Sequence, residues 1–448
     1  MVRRFPLTID REIIRLSIPT ILSNITIPLL GICDTAISGH LGSELFLSAI
    51  AVGSVMLNVV LWIFGFLRGG TTGLTANALG AGNEKELFRV LYRAILISFL
   101  AGAILIGFQS YIFKGLWIIS GSGEDILQLV EDYFKIRILG SPALLAVIAI
   151  SGWFVGMQNT VCPMVIAIST NVLNVVISYL LSFEGGYGFS GVAIGTLVAN
   201  WLGLGIAVGC MIWFRRGKFE RFSLRHLLIG DWWRYFSVNG NLFLRSLCII
   251  CVTMGVTAAG AKIGNLILAV NIVIMQFFQF FSFFMDGFAY SAEAMIGLRV
   301  GERNWIMLKK CAARLLQWTL VTGVIFSLGY FLGLDSIVNL LTDNESVRLG
   351  VKQLTLWVSL IPLISCWAFI FDGFYIGLTD TFRMMISSVI GAVIFFLIIF
   401  LGPGFITNMD AFKGNLIIWG AFLSYLLLRG VYLASIWPKA SGKLINLR

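Results

Sequence analysis

Gly152-Trp-Phe-Val-Gly-Met-Gln-Asn-Thr160 returns later in the chain as Gly373-Phe-Tyr-Ile-Gly-Leu-Thr-Asp-Thr381. Gly152, Gly156 and Thr160 fall on Gly373, Gly377 and Thr381, a shift of 221 residues (373 − 152). The same shift carries Leu47 onto Leu268 and Gly80 onto Gly301, and it brings Pro142 within one residue of Pro362. A single glycine match is easily accidental. One shift that serves four separate apolar segments is not. The chain reads as a direct repeat, and the composition says what kind of unit is repeated.

Of the 448 residues 58% are hydrophobic and 12% are charged, and the mean hydropathy is +0.93. Soluble domains average about 25% charged residues. The apolar residues are spread over the whole length, so the chain reads as an all-α polytopic membrane protein. A bilayer crossing needs about 20 mostly apolar residues. Twelve such runs are found, near 13–38, 47–79, 88–113, 132–157, 161–183, 190–214, 235–259, 265–298, 308–333, 350–376, 382–402 and 414–438. Lys and Arg mark cytoplasmic loops. They collect at Arg3, Arg4, Arg11 and Arg15, after the second run (Lys85, Arg89, Arg93), after the sixth (Arg215 to Arg234), after the eighth (Arg299, Arg303, Lys309, Lys310, Arg314) and in the tail. The alternate loops are sparse or acidic, as at Glu124, Asp125, Glu131 and Asp132, or Asp335, Asp343 and Glu345. Both termini are therefore expected in the cytoplasm. The repeat places six helices in each half, with the same insertion. The expected domains are a lobe over 1–214, a polar cytoplasmic linker over 215–234 and a lobe over 235–448, the two six-helix bundles being related by a pseudo-twofold axis along the membrane normal.

Other classes are disfavoured. Net charge +10 suggests nucleic acid until its placement in short loops is seen, so no nucleic-acid partner is expected. The seven cysteines lie in or beside apolar runs without metal spacing, and Cys248 and Cys251 sit inside an expected helix, so they read as structural thiols. Arg3 and Arg4 precede no short apolar core with a cleavage site, so the first run reads as a retained helix. The sequon at Asn24 falls inside that helix and is discarded. No catalytic constellation and no nucleotide-phosphate loop is present, so neither an enzyme nor an ATP-driven pump is expected, nor any cofactor beyond a coupling ion.

Polar residues inside the apolar runs carry the functional reading. An ionised carboxylate deep in a membrane helix costs about 2.5–3.5 kcal/mol on insertion scales, and Asp34 lies in the first run. Asn171, Asn174 and Ser178 share one helix face, as do Thr196 and Asn200. Such oxygens suit a hard cation or a protonated acid, though they also suit plain hydrogen bonds between helices. The second half has Arg245, Asp286, Glu293 and Asp372, and Arg68 lies in the second run. Depth counting sets Arg245 near Asp286, an ion pair in prospect. Glu293 lies nearer the cytoplasmic end, and Asp372 opens the repeated glycine motif. Arg68 and Arg245 are read as the deep arginines of the chain. Pro19 and Pro28 precede Asp34 and let the first helix bend. Phe277, Phe278, Phe280, Phe281, Phe283 and Phe284, with Met275 and Met285, read as core or lipid-facing, or as an apolar vestibule.

On these residues the chain resembles the multidrug and toxic compound extrusion (MATE) family, in its DinF-like branch. The resemblance covers nearly the whole length. It rests on Pro19 fifteen residues before Asp34, on the segment Phe66-Leu-Arg-Gly-Gly-Thr-Thr-Gly-Leu-Thr-Ala-Asn-Ala-Leu-Gly-Ala-Gly82, on Ala292-Glu-Ala-Met-Ile-Gly297 and on Asp372-Gly-Phe-Tyr-Ile-Gly377. It implies two six-helix lobes and an antiporter of the inner membrane. Such a carrier exports small cationic or amphipathic molecules against protons or sodium, and it is expected to work as a monomer in the lipid bilayer. It implies coupling at Asp34, with Asn174 and Thr196 in the same pocket. Relatives often carry aspartate where this chain has Ser178. One carboxylate in place of two weakens a sodium site at Asp34, Asn174 and Thr196, so protons are the expected coupling ion, with sodium kept open by the second-half acids. Two rivals remain: a flippase for lipid-linked precursors, which would need a cluster of arginines, and a membrane receptor without flux.

Overall fold

The computed structural model describes residues 8–120, 123–215, 232–401 and 411–443. All the regular structure among them is helical: α1 (Ile9–Gly39), α2 (Glu44–Trp62), α3 (Phe66–Gly80), α4 (Glu84–Gly107), α5 (Gln109–Ser120), α6 (Leu127–Ile138), α7 (Ser141–Gly156), α8 (Val161–Tyr179), α9 (Gly188–Arg215), α10 (Trp232–Ile263), α11 (Asn265–Gly301), α12 (Trp305–Leu341), α13 (Glu345–Lys352), α14 (Thr355–Gly377), α15 (Thr381–Leu401) and α16 (Ala411–Lys443). Among the described residues eleven spans are long and apolar enough to cross a bilayer, and a bent pair, taken as one span, makes a twelfth.

That bent pair is where the expected fourth helix, 132–157, breaks. Glu124–Ile138 and Ser141–Gly156 meet at 49°. Pro142 stands in the first turn of α7. Without an N–H it cannot bond back to the carbonyl of Ile138, so the ladder stops there. The expected second helix, 47–79, runs as α2 and α3 joined by a 3-10 turn at Ile63–Gly65. Several charged residues expected in loops lie instead in helices: Glu131 and Asp132 in α6, Arg93 in α4, and Lys309, Lys310 and Arg314 in α12. Arg93 is buried, with its guanidinium over the Trp232 ring at 4.7 Å. The ring face replaces part of the lost hydration. Residues 216–231 of the expected linker lie outside the described residues.

The chain divides into two compact units, one over Ile18–Tyr235 and the other over Phe236–Arg448 together with Met1–Ser17. In the first, α7 packs on α3, α4 and α9, and α8 packs on α9. In the second, α14 packs on α11, α12 and α16, and α15 packs on α16. These are the same partners after the 221-residue shift. The start of α1 joins the second unit through Ser17 Oγ to Ser291 Oγ at 2.7 Å, Glu12 to Arg299 at 3.2 Å and Trp318 Nε1 donating to Asp10 at 3.1 Å.

The repeated glycines explain why the halves pack alike. A Cβ on Gly152 would strike the backbone carbonyl of Arg68, and one on Gly373 would strike that of Ala289, which is residue 68 + 221. A Cβ on Gly156 would meet Thr75 and the Thr72 carbonyl, and one on Gly377 would meet Ile296 and the Glu293 carbonyl, again shifted by 221. Small residues four apart let two helix backbones approach closely inside a membrane. Thr72 Oγ1 donates to the Gly152 carbonyl at 3.0 Å across this contact. Helix ends repeat too. Gly82 and Arg303 (82 + 221) both have positive φ, at 67° and 55°, and Gln158 and Thr379 (158 + 221) do so at 61° and 57°. The next residues after the first pair, Asn83 and Asn304, each cap the following helix by accepting from a backbone N–H at 3.1 Å.

Candidate functional site

The unit over Ile18–Tyr235 holds Asp34, Asn171, Asn174, Ser178, Thr196 and Arg68. Asp34 is half-buried near the end of α1, and its Oδ1 is buried without a hydrogen-bond partner. Its backbone carbonyl accepts from Ser38 Oγ at 2.5 Å. The charged group acting on it is Arg137 of α6. Arg137 donates to Tyr133 Oη at 2.7 Å and to Ser54 Oγ at 3.4 Å, and Ser54 and Tyr133 are 3.0 Å apart. The break before α7 leaves Arg137 close to the end of α6.

Asn174, Ser178 and Thr196 are all buried and come together where α8 meets α9. Ser178 Oγ donates to Asn174 Oδ1 at 3.3 Å and lies 3.4 Å from the Val192 carbonyl, which also accepts from Thr196 Oγ1 at 3.0 Å. Glycine makes this possible, because a Cβ on Gly195 would strike Ser178. Asn171 points elsewhere and donates to Thr26 Oγ1 of α1 at 2.7 Å. Among the described residues no hydrogen bond joins Asp34 to Asn174 or Thr196. Arg68 lies half-buried on α3, where its backbone carbonyl receives Gly152.

The other unit holds Arg245 on α10, Asp286 and Glu293 on α11 and Asp372 on α14. Arg245 is ion-paired to Asp372, not to Asp286. Depth along one helix does not say which side of it faces a neighbour, and that is why the depth argument chose the wrong acid. Arg429 of α16 grips the same Asp372 oxygen from another side and donates to Tyr425 Oη at 3.3 Å. Asp372 and Arg429 are almost fully buried, and Arg245 is one-fifth exposed. Asp286 is half-buried, and Glu293 is buried on the α11 face that meets Gly377.

Comparisons with known proteins bear on this arrangement. The MatE family model matches residues 19–180 and 242–401, one block in each repeat. This chain belongs to the MatE family. It is 32% identical to the DNA damage-inducible protein F of Escherichia coli, over 96% of this chain and 92% of that protein. Its fold is that of a MOP superfamily transporter from Pyrococcus furiosus, with a TM-score of 0.85 at 14% identity over 98% of this chain and 97% of that one. It is also that of the Vibrio cholerae MATE transporter VcmN in its bent form, with a TM-score of 0.83 at 17% identity over 97% and 98%. The protein is thus a multi-pass membrane transporter of a multidrug-efflux family that handles small molecules.

In this MatE protein the sequence reading missed Arg137 and Arg429, and with them Tyr133, Ser54 and Tyr425. The signal was available. Both arginines lie inside expected spans, 132–157 and 414–438, where a charge is as informative as Asp34. The reading of Arg68 and Arg245 as the deep arginines omitted Arg429, which lies mid-way in the expected span 414–438 and is buried.

Proposed function

We propose that this protein is a proton-driven antiporter that exports amphipathic organic compounds, cationic ones included, with Asp34 as the coupling group. The supporting observation is the contrast between Asp34 and Asp372. Asp372 is clamped by two guanidiniums, so its counter-charge is already supplied within the protein. Among the described residues Asp34 has no ion pair, its Oδ1 is buried without a partner, and Arg137, the guanidinium acting on it, is committed to Tyr133 and Ser54. It is the carboxylate free to gain and lose a proton. A proton arriving from outside neutralises Asp34, weakens its hold on a cationic substrate and changes the forces on α1, where Pro19 and Pro28 interrupt the ladder. The unloaded, protonated carrier then releases the proton to the cytoplasm and rebinds substrate. Rocking of the two six-helix bundles supplies alternating access. In this reading the protein sits in the inner membrane with both termini cytoplasmic, acts as a monomer and needs no cofactor beyond the coupling ion.

The test is substrate efflux from proteoliposomes under an imposed pH gradient or an imposed sodium gradient, wild type beside Asp34→Asn. Flux driven by pH and abolished in the variant supports proton coupling at Asp34. Flux driven by sodium alone, or retained by Asp34→Asn, overturns it.

A further inference from the structure

The second unit contains a feature that proton coupling does not use. Arg245, Asp372 and Arg429 come from three helices and meet inside the membrane-spanning region with two positive charges against one negative. Among the described residues no other carboxylate pairs with either arginine. Arg245 commits one N–H to Asp372, and Arg429 commits one to Asp372 and one to Tyr425. A guanidinium has a fork of N–H donors, and here the Nε of each arginine is buried and unbonded, as is Asp372 Oδ1. A buried excess charge with unused donors is costly unless a counter-ion completes it.

The repeat sharpens the point. At 221 residues earlier the positions of Arg245, Asp372 and Arg429 are Asn24, Ser151 and Val208. The shared scaffold does not need these charges to hold its helices together. They belong to something the second half does alone.

Beside the cluster lies an apolar cavity of about 600 Å³ between α10 and α15, lined by Leu244, Leu247, Cys248, Met385, Val389 and Phe396 among others. That volume is typical of a small-molecule site. Leu244 adjoins Arg245 in the chain. Cys248, one helical turn on, lines the cavity and lies within the field of both Arg245 and Arg429. An open apolar groove next to a cationic fork fits a molecule with an apolar body and an anionic head.

We propose that Arg245 and Arg429, steadied by Asp372, form a binding site for the oxyanion head of an amphipathic organic anion whose apolar body occupies the α10–α15 cavity. A carboxylate or a phosphate head meets the same guanidinium geometry. Asp372 holds the two forks in place and keeps the site at a net charge of one, strong enough to bind and weak enough to release. The inference extends the substrate class of the efflux reading to anions. It rests on that reading only for the claim that the ligand is carried, because binding itself needs no gradient.

The test uses the purified full-length protein in non-ionic detergent with three fluorescent probes that share one ring: 1-naphthoate, 1-naphthyl phosphate and 1-naphthylmethylammonium. At least one anion is expected to bind more tightly than the ammonium. Arg245→Gln is expected to weaken anion binding at least tenfold and leave the ammonium unchanged, while Arg245→Lys retains most of it. Asp372→Asn, which raises the local charge, is expected to tighten it. A preference for the carboxylate points to a free organic acid, and a preference for the phosphate points to a phospholipid-like head. A second readout uses the wild type alone, so it survives a variant that does not fold. The anion that binds should slow maleimide labelling of the exposed, cavity-lining Cys251, followed site by site by mass spectrometry, and the ammonium should not. Anion binding unaffected by Arg245→Gln, or Cys251 labelling that ignores both anions, overturns the proposal. Either result leaves proton-driven efflux through Asp34 standing, so the two readings fail separately.

Discussion

Replacing Gly373 by alanine strikes the contact on which the second unit closes. An ideal Cβ at this position lies 2.5 Å from the Ala289 carbonyl oxygen and 3.0 Å from Ala292 Cβ. Ordinary contact begins near 3.4 Å, so α14 and α11 must separate by about 0.9 Å. The first obstacle is helix backbone, which cannot rotate aside as a side chain would. Overpacking costs about 1–3 kcal/mol, and a backbone obstacle argues for about 3. Alanine returns roughly 0.5–1 kcal/mol of helix propensity. The net loss is about 2 kcal/mol. At roughly 2–4 °C per kcal/mol for a unit of this size, the expected fall in Tm is about 4–8 °C, read from tryptophan fluorescence of the purified protein in detergent. Gly152→Ala should cost a similar amount, because its Cβ aims at the matching carbonyl of Arg68. At Gly329 and Gly209 a Cβ would meet nothing within 4 Å, and alanine there should be neutral or slightly stabilising. If Gly373→Ala melted within about 1 °C of Gly329→Ala, the account of the repeat as paired close-contact glycines would be wrong.

Two further outcomes follow from the same geometry. Arg303 has φ 55° where its repeat partner Gly82 has φ 67°; a Cβ in that region costs about 1–2 kcal/mol, glycine's chain entropy takes back roughly 0.5–1 kcal/mol, and Arg303→Gly should therefore raise the Tm by a degree or more, a lowered Tm counting against the strain. Gly195→Ala would push its Cβ to 2.6 Å from Ser178 Cα, so it should separate α8 from α9 at a cost of about 1–3 kcal/mol and depress pH-driven efflux more than Gly209→Ala on the same helix; equal efflux in the two variants would detach Ser178 from transport.

The sequence alone determined the class of this protein and its internal repeat. Twelve apolar runs and the 221-residue shift are properties of residue order, because a bilayer demands long apolar helices and close helix contact demands glycine at fixed spacing. Asp34 stood out for the same reason, as a charge in an apolar run. What the sequence did not decide was which polar groups meet. Arg245 was assigned to Asp286 from depth, yet its partner is Asp372, which Arg429 also grips, since depth fixes only one of the two coordinates of a side chain in a bundle. The angle around the helix is set by packing. The chemistry lies where the repeat fails: Asp34 falls on Gly255, Arg137 on Val358 and Thr196 on Ile417, while Asp372 falls back on Ser151. A repeat read from the sequence gives the scaffold that both halves share. Only the tertiary structure brings residues from different helices together, and so only it showed that, among the described residues, one half holds a carboxylate without an ion pair and the other a surplus of positive charge.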